Sequence, residues 1–108
     1  MSIRSKRVTL TITISGDTQQ GVSGSMQGII DQLIVTSSVP GQGFDLIFLN
    51  EQSDEIYRED GLSIVTPAVP ISDLRPRLIA QGPLTVKIEN PINPSGTATI
   101  TFIQQEDV

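Results

Sequence analysis

Carboxylates are the acid–base groups this sequence offers in number, because the chain of 108 residues contains neither His nor Cys. The densest run is Glu51, Asp54, Glu55, Glu59 and Asp60, set around Ile56, Tyr57 and Arg58. Calcium takes six to eight oxygen ligands from a loop that converges on the ion, and the EF-hand spacing is absent here, so the run reads as an exposed acidic stretch. Asp31 and Asp45 are the acids inside apolar segments, and each is expected to cap an edge or face solvent, not to form a catalytic pair across a groove. Ser25, in Gly24-Ser25-Met26, lacks the histidine base that would activate it. Gly16, Gly21, Gly24 and Gly28 lack the Lys and the spacing of a phosphate loop. The expectation is a chain with no catalytic, cofactor-binding or metal-binding set, and hence not an enzyme.

Charge and composition narrow the classes further. A net charge of −5 argues against a nucleic-acid binder, which needs clustered cations to displace phosphate counterions. No apolar run approaches the length needed to span a bilayer, and the basic start is not followed by the apolar region of a signal peptide. The four aromatic residues are Phe44, Phe48, Tyr57 and Phe102. Three of them fall at strand core positions, so a stacking platform for bases or sugars is not expected. At this length a single domain, residues 1–108, buries about two-thirds of its unfolded surface and folds alone.

The elements that must position these groups read as strands. Arg7 to Ile14 alternates strictly, placing Val8, Leu10, Ile12 and Ile14 on one face and Arg7, Thr9, Thr11 and Thr13 on the other. Thr97 to Phe102 alternates in the same way. Between them, Ser15 to Gly24 reads as a polar loop or an irregular edge, Met26 to Val35 as a strand with a short helix as the other reading, and Phe44 to Leu49 as a strand buried on both faces except at Asp45. Asn50 to Asp60 is expected to be exposed, and Gly61 to Val65 to form a short strand. The Pro-rich segment 66–77 is expected as an extended crossover or arm, since Pro lacks a backbone donor. Leu78 to Ala80 reads as a short strand. Leu84 to Ile88 and Thr97 to Phe102 are expected as an antiparallel hairpin joined through Asn90 to Gly96. The resulting class is all-β: a single antiparallel β-sandwich or partly closed barrel, with a core of Leu10, Ile12, Phe44, Phe48, Val86, Ile88, Ile100 and Phe102.

Two segments are suited to docking. Arg4, Lys6 and Arg7 form a basic N-terminal arm (residues 1–6 and the residue after) on an acidic protein, able to pair with neighbouring copies or an acidic partner. Val69, Ile71 and Leu74 lie in the stiff Pro-rich segment and are suited to an extended contact.

The whole-chain pattern resembles a group of small all-β proteins encoded among the virion genes of tailed bacteriophages. It is carried by Val8 to Ile14, Gly28 to Val35, Phe44 to Leu49, the Leu-Thr-Val-Lys-Ile strand Leu84 to Ile88, and the Thr-rich Thr97 to Phe102. The segment 66–76 departs from that pattern by its prolines. The resemblance implies a non-catalytic head decoration or cement protein on the capsid surface, made in the host cytoplasm, bound to the major capsid protein or another virion protein and self-associating in the assembly. A tail or baseplate accessory protein is the alternative within that class. A carbohydrate- or cell-surface-binding β-sandwich module is the alternative from another.

Overall fold

The computed structural model describes residues 3–24, 26–64, 68–71 and 78–107. Period-two alternation is realised along most of that length. The strands are β1 (Ile3–Thr13), β2 (Thr18–Val22), β3 (Met26–Ser37), β4 (Gln42–Leu49), β5 (Glu55–Ile64), β6 (Ala68–Ile71), β7 (Leu78–Gly82), β8 (Thr85–Glu89) and β9 (Thr97–Asp107). They form two antiparallel sheets. The first has the order β1-β9-β3-β6, with β7 also paired to β3; the second has the order β2-β8-β4-β5. The fold is an all-β sandwich.

Two amphipathic sheets remove their apolar faces from water by packing them together. From the five-stranded sheet come Ile12, Ile30, Leu33, Val35, Ile100 and Phe102; from the four-stranded sheet come Phe44, Leu46, Phe48, Val86 and Ile88, all buried. Phe48 joins the layers. Its ring centroid lies 5.0 Å from Tyr57 in a stacked arrangement and 5.2 Å from Phe102 of the opposite sheet in a tilted one. Of the eight expected core residues, seven are buried, while Leu10 is half-buried and packs against the cluster.

Two expectations are corrected and two are made specific. Within the polar stretch Ser15 to Gly24 the edge reading is realised as β2, whose alternation is between exposed and half-buried positions and so carries no apolar period. The acidic stretch is exposed as expected apart from the half-buried Ile56 and Tyr57, and Glu55 to Asp60 lies in β5, an edge strand whose outward positions tolerate charge. The segment 66–77 is not only a crossover: Ala68 to Ile71 is β6, which among the described residues pairs only with β3, and a strand with one partner is where a sheet tolerates Pro70.

The other correction concerns the expected hairpin. β8 and β9 lie in different sheets, so 90–96 is an arch between layers. The buried amide of Gln42 holds this arch, donating to the Asn93 carbonyl at 2.7 Å and accepting from the Asn93 N–H at 3.0 Å. Gly96, at φ +83, fits against Ser38 and Val39 where a Cβ would collide. For Met26 to Val35 the strand reading holds.

Candidate functional site

The outward side of the four-stranded sheet collects the charged side chains that the sandwich does not need for its core. Register fixes its rows. Thr18, Glu89 and Asp45 are cross-strand neighbours, as are Gln20, Lys87, Ile47 and Arg58 in the next row, and Val22, Thr85, Leu49 and Glu55 in the third. These positions alternate with Phe44, Leu46, Phe48, Val86 and Ile88, which point into the core. Ile47 is 2% exposed yet lies outside the core cluster. Its two cross-strand partners are Arg58 and Lys87, whose aliphatic stems are placed to cover it while their charged ends remain in water.

Arg58 is the centre of this face. Its Nη2 and Nε donate to Glu55 Oε1 at 2.8 and 3.0 Å, and its Nη1 donates to Asp60 Oδ1 at 3.0 Å. These bonds hold the Glu55 carboxyl below the usual carboxylate range and push the guanidinium still further from deprotonation. Lys87 Nζ lies 3.7 Å from Glu89 Oε2. Asp45 braces the rim, accepting from the Gly61 N–H at 2.8 Å and from Asn90 Nδ2 at 3.1 Å; the Gly61 bond, then the Asn90 bond, lowers its carboxyl below the usual range. Gly61 has φ +65 at a β-bulge against β4, and that turn aims its N–H at Asp45. The face is therefore a fixed array of carboxylate acceptors and cationic donors with a small apolar floor. Such groups read hydroxyls and amines by hydrogen bonding and supply no nucleophile with an adjacent base.

The docking residues expected from the sequence are not brought together. Lys6 and Arg7 are exposed, but they pair with Gln104 and Ile103 and so face opposite sides of the sheet; Arg4 is in register with Glu106. Val69 and Ile71 occupy β6 at the far edge of the same sheet, paired with Val35 and Leu33. Leu74 lies outside the described residues. Among the described residues no group of three or more Asp or Glu is arranged to hold a metal ion, and no helix is long and apolar enough to cross a membrane. Sequence reasoning missed the Arg58–Lys87 face. Its signal was the lone Arg58 inside an acidic run and Lys87 at an outward position of an alternating strand.

No protein-family model matches the chain, and no curated protein matches it in sequence. Solved structures resemble it in fold. The lectin binding domain of Lectinolysin, a mutant complexed with Lewis b, has a TM-score of 0.55 at 10% identity over 92% of this chain and 72% of that one. The lectin domain of Lectinolysin complexed with Lewis B antigen has a TM-score of 0.54 at 11% identity, over 88% and 70%. Chitosan-binding module 1 from a chitosanase/glucanase of Paenibacillus sp. IK-5 has a TM-score of 0.51 at 7% identity, over 94% and 92%. At these identities the likeness is one of fold: two antiparallel sheets, packed face to face, over nearly the whole of this chain.

Proposed function

We propose that this chain is a non-catalytic carbohydrate-binding module, and that the outward face of β2, β8, β4 and β5 is its binding surface. The observation that carries the reading is the array around Arg58 and Lys87: fixed donors and acceptors on a rigid sheet, without catalytic geometry, in a sandwich like those of lectin and chitosan-binding domains. A sugar hydroxyl is both donor and acceptor, so alternating carboxylates and cations complement it. Recognition by hydrogen bonds is required here because Tyr57, the most exposed aromatic, is half-buried against Phe48.

The same chemistry sets ligand class. Asp45, Glu55, Asp60 and Glu89 outnumber Arg58 and Lys87, so neutral or amine-bearing glycans are favoured over sulfated or sialylated ones. Affinity for one site built from exposed hydrogen bonds belongs near the millimolar end, roughly −4 kcal/mol, and multivalent display is needed to detect it. The test is a multivalent glycan array probed with the intact chain and with Lys87→Ala/Arg58→Ala. Signal on neutral or amino glycans that the double variant loses supports the reading. A blank array overturns it, and co-sedimentation of the same protein with undecorated capsids would then favour the virion role that the sequence pattern implies.

A further inference from the structure

We propose that β1 is an open strand-addition edge whose occupant is β1 of a second copy of this chain, paired antiparallel about a two-fold axis at Leu10. This is independent of any carbohydrate ligand. A sandwich leaves lateral edges with unpaired backbone groups, and proteins blunt them by shortness, bulges, Pro or charge. Among the described residues β2 pairs only with β8, β5 only with β4, and β6 and β7 only with β3, and each carries such a device. β2 and β7 have five residues, β6 has four and contains Pro70, and β5 is interrupted by two register shifts.

β1 differs. It runs for eleven residues, paired with β9 in unbroken register, and contains no Pro or Gly. Its charges, Arg4, Lys6 and Arg7, are confined to its first half. Val8 to Thr13 is an uncharged, largely β-branched edge, half of whose backbone groups point away from β9. The core is unfinished on this side. Val8 and Leu10 are half-buried although Ile100 and Phe102, their register partners on β9, are fully buried. β2 packs over β1 through Gly21, against Leu10 and Ile12.

A second copy satisfies this edge better than a foreign strand because β1 complements itself. With Leu10 opposite Leu10, Val8 falls opposite Ile12 on the apolar face, and Thr9 opposite Thr11 on the hydroxyl face. That continues the threonine pairing already present between Thr11 and Thr99. Arg7 falls opposite Thr13. The cationic ends of the two strands then lie roughly 20 Å apart along the ladder, beyond twice the screening length at physiological salt. Parallel in-register pairing would stack Arg7 on Arg7. The antiparallel contact is isologous and closes as a dimer with one continuous sheet.

Light scattering of the full chain should give twice 11.6 kDa at high concentration and the monomer mass on dilution. Thr11→Lys, at an exposed position, should leave the far-UV dichroism unchanged and weaken dimerisation at least about tenfold. Because the chain has no Cys, register is tested by mixing Thr9→Cys with Thr11→Cys: disulfide dimers should form in the mixture several-fold faster than in either variant alone. A monomer at every concentration, a dimer indifferent to Thr11→Lys, or equal disulfide yields in mixed and single samples would each overturn the proposal.

Discussion

The two sheets turn opposite kinds of surface to solvent. On the five-stranded sheet the outward threonines of β1 and β9 pair with one another, with Thr11 and Thr99 Oγ1 3.2 Å apart and Thr9 and Thr101 Oγ1 3.5 Å apart. On the four-stranded sheet the outward face carries ion pairs made by Arg58 and Lys87. Hydroxyls paired in a ladder contribute to the sheet and leave little unspent for a ligand. Exposed ion pairs add little stability, so their concentration on one face contributes little to folding and is the feature on which the carbohydrate-binding proposal rests.

The largest effect belongs to the layer both faces share. Ile100 is fully buried, so Ile100→Asp places an unpaired charge in the core and should unfold the domain, whereas its outward neighbour Thr99→Asp should change stability by less than about 1 kcal/mol. Thermal melts of the two variants check this. Similar melting temperatures would show the inward and outward sides of β9 to be exchanged.

A smaller effect is expected at the arch between the sheets. Gln42→Ala removes the two bonds to Asn93 and the acceptor for the Gly43 N–H, leaving buried backbone groups unpaired at a cost of about 2 kcal/mol. Denaturant melts measure the loss, and hydrogen exchange should show it centred on residues 90–96.

That arch marks the limit of what the sequence disclosed. The alternation in Arg7 to Ile14, Leu84 to Ile88 and Thr97 to Phe102 declares which residues point inward, and the buried set follows it. Alternation cannot say whether two strands lie side by side or face to face, because both arrangements bury the same side chains. The arch is held in place by contacts such as those of Gln42, distant in sequence and unremarkable as a residue type. The ionic face was hidden for a related reason. Arg58 reads as one cation in an acidic run, and only the pairing of β4 with both β5 and β8 brings it across Ile47 from Lys87.

Acid should sharpen the contrast between the faces, by a small amount. Asp45 and Glu55 have carboxyl groups held below their ordinary values, so the stability they add is complete above the unfolded-state pKa and is lost as pH falls through the lower folded-state value. The melting temperature should therefore be flat near neutrality and decline below about pH 4. Asp45→Asn should shrink that decline, because its amide cannot lose the charge that strengthens the bonds to Gly61 and Asn90. An identical acid profile for the variant would remove Asp45 from the brace. Thr9→Ala, on the other face, should leave the profile as it is.

If the ionic face of β2, β8, β4 and β5 binds carbohydrate and the threonine face does not, a paired titration of the best neutral or amino glycan into Lys87→Ala/Arg58→Ala and into Thr9→Ala/Thr101→Ala, with melting temperatures recorded for both, separates the two faces. The first variant should lose binding while keeping its melting temperature within a few degrees, and the second should bind as the intact chain does. Unchanged binding in the first variant, or loss confined to the second, would show that the ionic face is not the binding surface.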